Sequence, residues 1–327
     1  MKLHKIGLIA ALAIMTAAFL WAFDGIVLTP WIMDLGLYDV PTFVFMLHIT
    51  ASVFLTYFLF ARKSELKNLD KKDWRAFFLT GLFGGAIGTM AIVAAIINVH
   101  SNHLNISVVL LLQKLQPIFA ILLAFLWLRE RPKKAFYLWA TVALIGSYFL
   151  TFGFEKPDFG AQGMLIPALL AILAAFSFGS STVFSKKAIT KISHGLGTAL
   201  RFFITTGIMI VIILLITILN ASEVNTGYEG IDAFSILNWK LIGVFVIIAL
   251  TTGGTAIFIY YWGLKRVLAS RATIFEMAFP VSAIVLEFIL HDNILTIGQW
   301  IGTIIVLGAI TIIIHFRTPK QQTQHNE

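Results

Sequence analysis

The fold of this chain is decided by the apolar stretch LLLQKLQPIFAILLAFLWLRE at residues 110–130 and by its second copy, YWGLKRVLASRATIFEMAFPVSAIV, at residues 261–285. Both contain a polar residue four positions before a proline. Aligning the two prolines also pairs residues outside that motif. The matched pairs are Gln113 with Glu276, Pro117 with Pro280, Ser107 with Ser270, Ala120 with Ala283 and Phe125 with Phe288. A likeness of this length predicts an internal duplication.

Composition places the chain in a membrane. Of its 327 residues, 59% are hydrophobic and 12% are charged, and the mean hydropathy is +0.90. A soluble domain of this length could not bury so much apolar surface, so we predict an integral membrane protein. The absence of cysteine excludes disulfides, thiolate catalysis and cysteine-ligated metal centres. No Walker-type phosphate loop occurs, which argues against ATP-driven transport.

Ten apolar runs are long enough, or nearly so, to cross the hydrocarbon core as helices. None alternates as the strands of a β-barrel would. The first run follows a basic start, as in a signal peptide, but it is long enough to span and we interpret it as a retained helix. The predicted spans are residues 6–28, 42–60, 76–97, 106–128, 135–152, 164–184, 197–219, 241–262, 272–290 and 297–316.

The net charge of +8 arises from short basic segments between the apolar runs. It therefore indicates membrane orientation and not nucleic-acid binding. These basic segments occupy every second connection, and the remaining connections are mainly acidic. They are residues 2–5, 62–75, 129–134, 186–191, 265–271 and 317–320. The bias predicts a multi-pass protein of the inner (plasma) membrane with both termini in the cytoplasm.

The two halves share more than the proline helices. The tripeptide Ala-Ala-Phe at residues 17–19 recurs at residues 174–176, and the Gly-Gly pair at residues 84–85 recurs at residues 253–254. Because each half has an odd number of helices, the second half must cross the membrane in the opposite direction from the first. We therefore predict an all-α polytopic membrane protein built from two inverted five-helix repeats.

These segments, followed by Gly298-Gln-Trp-Ile-Gly302 and Gly308, resemble the two EamA repeats of the drug/metabolite transporter superfamily. The likeness covers nearly the whole chain, with a first repeat at residues 1–153 and a second at residues 154–327. It implies a ten-helix secondary transporter of small metabolites, often an exporter, with a central cavity between the repeats. The family often has a Gly-Glu pair after the proline helix. Here the two positions read Arg129-Glu130 and Asp292-Asn293, so no symmetrical role is expected of Glu130.

Ionisable side chains inside the spans are candidates for function, because each needs a partner, a cavity or water. They are Asp24, His48, Lys114, Arg201, Glu276 and Glu287. Depths estimated from a rise of about 1.5 Å per residue match Lys114 with Asp24 and Glu287 near the outer side. The same estimate matches Glu276 with Arg201 near the inner side. We predict two charge clusters that act as barriers on either side of a central site; the alternative is a set of static ion pairs.

Glu276 shares one helical stripe with Pro280 and Glu287, and we predict that it is the proton-coupling carboxylate. Pro117 and Pro280 interrupt backbone hydrogen bonding near mid-membrane and are predicted hinges. Substrate contacts are also predicted for Gln113 and for a set of aromatic side chains. The aromatic candidates are Trp21, Tyr260, Trp262, Phe275 and Phe279.

Together these features predict a secondary transporter, in the exporting direction, for a small organic metabolite such as an amino acid. Its partners are the solute, the lipid bilayer and protons; no nucleic acid, cofactor or catalytic residue is predicted. The pair His100 and His103 has no carboxylate or cysteine beside it, so no metal site is predicted. The alternative is a lipid-handling membrane protein, either a scramblase or an enzyme acting on lipids or prenyl phosphates.

Overall fold

A computed structural model describes residues 2–102, 104, 106–159, 162–291 and 294–316, with side chains from Ile6 onward except that of His291. In that part of the chain, ten helices are long and apolar enough to cross a membrane, and no β-strand forms. They are α1 (Ile6–Asp34), α2 (Val40–Ala61), α3 (Lys71–Ser101), α4 (Ile106–Trp127), α5 (Lys134–Phe152), α6 (Leu165–Ala188), α7 (His194–Ala221), α8 (Trp239–Leu264), α9 (Ala269–Leu290) and α10 (Ile297–His315). The predicted all-α fold is confirmed. Predictions that rest on His103, Asp292, Asn293 and the basic tail lie outside the described residues.

Two helices are longer than hydropathy alone predicts. α1 continues past residue 28 to Asp34, and Pro30 lies in this extension just after an irregular turn at residues 24–28. α3 begins at Lys71 because Asp70 and Asp73 form a reciprocal capping box at its start. The predicted span began only at residue 76, because hydropathy does not detect polar residues that are helical.

Three helices contain a π-helical turn, at Asp24–Leu28 in α1, Gly81–Ile87 in α3 and Ala249–Gly253 in α8. The turns in α3 and α8 fall at the repeated glycine pairs, so this irregularity is shared by both repeats. The insertion of a π turn shifts the register of the following side chains and is often found at functional sites.

The two proline helices are broken at equivalent places. α4 consists of α4a (Ile106–Gln113) and α4b (Gln116–Trp127), and α9 consists of α9a (Ala269–Phe275) and α9b (Ala278–His291). The breaks lie two or three residues before Pro117 and three or four residues before Pro280, as expected for an imino acid that clashes with the preceding turn.

Each repeat packs its first helix into the other repeat. α1 lies against α8 and α9, and α6 lies correspondingly against α3 and α4. α2 packs on α7, and α5 packs on α10. This exchange brings α4b into contact with α9a, so the two broken helices meet.

Glycines allow α3 to approach α6 and α7 closely. A Cβ atom at Gly84 would overlap the Ser181 hydroxyl, and one at Gly85 would overlap the side chain of Thr205. The packing role predicted for this glycine pair is therefore present in the structure. The equivalent glycines of α8 have no side chain of another helix closer than 3.7 Å to such a Cβ.

The basic connections gather at one end of the helix bundle, which we call the inner end in keeping with the predicted orientation. There Lys191 Nζ lies 2.8 Å from Asp70 Oδ2 and 2.6 Å from Asp73 Oδ2. The hydrogen bond from Lys191, together with those from backbone N–H groups, holds the pKa of Asp70 below its ordinary value. The hydrogen bonds of Lys191 with Asp70 and Asp73 raise the pKa of Lys191. The contact ties the start of α3 to the connection between α6 and α7.

Candidate functional site

The breaks in α4 and α9 are joined by hydrogen bonds to Glu276. Gln116 donates its Nε2 hydrogen to Glu276 Oε2 at 2.6 Å, and Tyr260 donates its hydroxyl to Oε1 at 2.7 Å. The Tyr260 hydroxyl is in turn 3.1 Å from Thr182 Oγ1. Short bonds to a carboxylate are stronger than neutral ones. One acidic side chain thus links α4, α6 and α8 to α9.

The local backbone explains why Glu276 is placed there. Pro280 lacks an N–H, and the chain replaces regular α-helical bonds with tighter ones, from Met277 N to Ile274 O at 3.1 Å and from Phe279 N to Glu276 O at 2.9 Å. α4 does the same, since Leu115 N donates to Leu112 O at 3.1 Å. Glu276 therefore lies at a turn inside the bundle, where broken helices expose polar groups to a site.

Lys114 occupies the break in α4, half-buried. Its Nζ lies 3.6 Å from the centre of the Phe279 ring, which is cation–π geometry. Within the described residues it forms no ion pair with Asp24 or Glu276, although Glu276 is within electrostatic reach. The predicted contact between Lys114 and Asp24 is therefore wrong. The Phe279 ring, and not a carboxylate, is the partner of the Lys114 ammonium group.

Asp24 lies in the π turn of α1 and is half-buried. It accepts a hydrogen bond of 3.1 Å from the Thr252 hydroxyl, which belongs to the π turn of α8. The two π turns thus face each other. Asp24 contacts Thr252 and, among the described residues, forms no ion pair with Lys114, so the predicted contact between these two charges is absent.

Arg201 points into the bundle and not toward headgroups. Its Nη2 donates to the Gly84 carbonyl at 3.3 Å, and its guanidinium lies 6.0 Å from the centre of the Tyr261 ring. Among the described residues it forms no ion pair with Glu276. The predicted inner pair is therefore wrong as a direct contact, because the Arg201 guanidinium donates instead to the Gly84 carbonyl in the π turn of α3.

The remaining predicted residues divide between the site and the core. The Trp21 ring centre is 5.4 Å from that of Tyr260, so Trp21 stands beside the Glu276 cluster. Phe275 is only 2% exposed and belongs to the core. Gln113 is half-buried beside the break, and Glu287 is half-buried in the outer half of α9. Pro117 and Pro280 are buried at the breaks, and His48 Nδ1 donates to the Val44 carbonyl oxygen at 2.8 Å.

Three polar residues of the site are absent from the sequence-based candidates: Gln116, Thr182 and Thr252. All are uncharged, and such residues are ordinary in membrane helices. Gln116 precedes Pro117 directly, and Thr252 precedes the repeated glycine pair. For Gln116 and Thr252, this position beside the repeated proline and glycine residues is the feature of the sequence that could have identified them.

A charge exchange tests whether Asp24 and Lys114 act as a pair. We expect the double variant Asp24→Lys with Lys114→Asp to transport no better than the worse single variant, because each residue has a different partner. Flux in reconstituted vesicles measures this, with the single variants as controls. Recovery of half the wild-type flux or more would contradict the separate placement of the two charges.

Ten helices, an exchange of first helices between two repeats and a polar site between two broken helices are typical of membrane transporters built from repeats. Comparison with known proteins gives the family. The model of the EamA-like transporter family matches residues 8–152 and 165–315. The chain belongs to the EamA-like transporter family, and the two-repeat architecture predicted from the sequence is confirmed.

Two relatives and one solved structure are similar over most of the chain. The riboflavin transporter ImpX of Fusobacterium nucleatum is 41% identical over 303 residues, which is 92% of this chain and 95% of that protein. The uncharacterized transporter sll1164 of Synechocystis is 24% identical over 269 residues, covering 79% and 71% of the two chains. One crystal structure superposes on this chain with a TM-score of 0.66 at 16% identity, covering 94% of this chain and 98% of that chain. That last likeness shows the fold alone.

Proposed function

We propose that this protein carries riboflavin, or a closely related planar heteroaromatic solute, across the membrane by alternating access. The observation that carries the proposal is the 41% identity, over 92% of the chain, to a relative named a riboflavin transporter. The amino acid predicted from the sequence becomes the competing solute in the test. The exporting direction and the inner membrane stay predictions.

The chemistry of the site supports a flat solute with polar edges. Trp21 and Phe279, which are both half-buried, offer aromatic faces near the helix breaks, and aromatic rings stack on one another in offset or tilted geometry. Lys114 and Gln116 are donors of the kind that ring carbonyl oxygens accept. Riboflavin combines a three-ring face, carbonyl acceptors and a hydroxylated tail, so it complements this mixture better than a small amino acid does.

Counterflow in liposomes tests the substrate. Purified protein is reconstituted in vesicles loaded with unlabelled riboflavin, and the entry of labelled riboflavin is followed. We expect riboflavin-dependent accumulation that excess unlabelled riboflavin abolishes and amino acids do not. Accumulation of labelled amino acids without riboflavin exchange would refute the substrate, and lipid flipping or product formation without solute exchange would favour the lipid-handling alternative. Measurements of net riboflavin uptake and net riboflavin efflux in cells then determine the direction of transport.

Replacement of Trp21 tests the stacking surface. We expect Trp21→Ala to raise the KM for riboflavin about tenfold, which corresponds to ~1.4 kcal/mol and to the upper range for an aromatic pair. Phe19→Ala is the matched control, because Phe19 lies on the same helix and is 43% exposed on the outside of the bundle. A KM that changes equally in the two variants would contradict a specific role for Trp21.

A further inference from the structure

A buried carboxylate of the first repeat is bound to the start of the broken helix of the second. Glu130 is 1% exposed. Its Oε1 accepts the backbone N–H of Ala269 at 2.8 Å, and its Oε2 accepts the backbone N–H and the hydroxyl of Ser270 at 3.0 and 2.6 Å. These three bonds join the segment that follows α4b to α9a, and nothing in the transport site described above uses them.

The backbone before Glu130 is shaped for this contact. Arg129 has a φ of 54°, in the left-handed region that non-glycine residues seldom adopt. The turn lets Glu130 N donate to Ala124 O at 3.1 Å, which folds the chain back against the end of α4b. The carboxylate is thereby aimed across the boundary between the repeats.

Burial differs between the two halves of α9. Every residue from Val267 to Phe275 is buried. Beyond Pro280, residues 281–284 are all half-buried. α9a is therefore enclosed by protein on all sides, and Glu130 lies at this enclosed end.

Other polar contacts at the same end fasten neighbouring connections. Lys186 Nζ donates to the carbonyls of Leu264 and Lys265 at 2.8 and 3.0 Å, and Lys265 Nζ donates to Ile192 O at 2.6 Å. Most of these bonds are made by exposed or half-buried groups to backbone oxygens. Glu130 differs because its carboxylate is buried and because it binds the segment after α4b directly to α9a.

We propose that Glu130 is the positioning residue of an inner gate: its bonds to Ala269 and Ser270 hold α9a closed over the inner end, and they must break before solute reaches that side. The proposal rests on the alternating access proposed above and not on the identity of the solute. Loss of the carboxylate charge weakens the hold on α9a and shifts the population toward inner opening. Removal of a partner from a buried hydrogen-bonded charge favours states in which water replaces it.

Labelling of single cysteines in nanodiscs tests the gate. The chain contains no cysteine, so an introduced thiol is the only one present. Thr273→Cys reports on the inner half, since Thr273 is 1% exposed, and Ala283→Cys reports on the half-buried outer half. In the Glu130→Gln background we expect maleimide labelling of Thr273→Cys to be about tenfold faster, with labelling of Ala283→Cys unchanged or slower.

Two further variants complete the test. Ser270→Ala removes one of the three bonds. It should change the labelling rate of each reporter in the direction expected for Glu130→Gln but by a smaller factor, which keeps the test valid if Glu130→Gln does not fold. Glu155→Gln is the control, a glutamate exposed in the connection between α5 and α6. Faster labelling of both reporters, or of neither, in the folded variants would overturn the gate. A gate shift in a protein that does not exchange riboflavin would refute only the substrate.

Discussion

Glu276→Gln is expected to abolish transport driven by a pH gradient while it preserves the fold and exchange at equal pH. Glutamine has the shape of glutamate, whose two oxygens accept from Gln116 and Tyr260 at 2.6 and 2.7 Å. The glutamine amide oxygen can still accept from Tyr260, and its NH2 group can donate to Gln116 once the Gln116 amide turns over. The introduced glutamine cannot, however, gain or lose a proton. A carrier that couples solute movement to protonation of this group must therefore lose the coupling and keep the solute path.

The measurement compares two fluxes in the same vesicles. We expect net transport under a pH gradient to fall about 100-fold, which corresponds to ~2.7 kcal/mol, and counterflow at equal pH to stay within about threefold of wild type, which corresponds to less than ~1 kcal/mol. Glu155→Gln controls for the loss of one negative charge on the protein. Wild-type net transport across the pH range would remove Glu276 from the coupling role.

Gly302→Ala is expected to produce the largest loss of stability from a single methyl group. A Cβ atom at this position of α10 would overlap the backbone nitrogen of Leu150 in α5 and lie 2.7 Å from the carbonyl oxygen of Gly146. Backbone atoms cannot rotate away as a side-chain tip can, so the two helices must separate. Overpacking of this kind costs about 1–3 kcal/mol, and more where nothing yields.

Thermal unfolding in detergent measures the effect. We expect the midpoint of Gly302→Ala to fall by about 5 °C or more. Gly308→Ala is a matched control on the same helix, because no atom lies within 4 Å of its added Cβ. Alanine is the better helix former by about 1 kcal/mol, so this control should be unchanged or more stable. Equal midpoints for the two variants would contradict the close packing of α5 and α10.

The sequence predicted the fold well because a bilayer imposes simple rules. Apolar length located all ten helices, and the repeated prolines marked the two breaks that meet in the structure. Hydropathy failed at the polar start of α3, where the capping box of Asp70 and Asp73 and not apolar character begins the helix.

The site was predicted less completely, for a geometrical reason. A rise per residue gives the depth of Lys114 or Asp24 in the membrane but not the direction in which its side chain points around the helix. That direction depends on packing and on π turns, which rotate all following residues. Lys114 therefore makes a cation–π contact with Phe279, and Asp24 accepts a hydrogen bond from Thr252.

Glu276 was predicted to lie at a helix break, but its hydrogen-bond partners were not predicted. Its distance from Pro280 identified it as a residue at a helix break, and it is one. Its partners Gln116 and Tyr260 come from α4 and α8, however. Gln116 is uncharged and was not a candidate, and Tyr260 was predicted only as an aromatic substrate contact. An uncharged partner becomes visible only when the tertiary contact is known.

Binding of riboflavin to the purified protein tests the central claim most directly. Riboflavin is fluorescent, and stacking on an aromatic ring quenches it, so its emission is followed as folded protein is added. We expect saturable quenching at one riboflavin per chain that is weakened about tenfold by Trp21→Ala and retained by Phe19→Ala. No saturable quenching by folded wild-type protein, together with thermal stabilisation by an amino acid, would contradict the account.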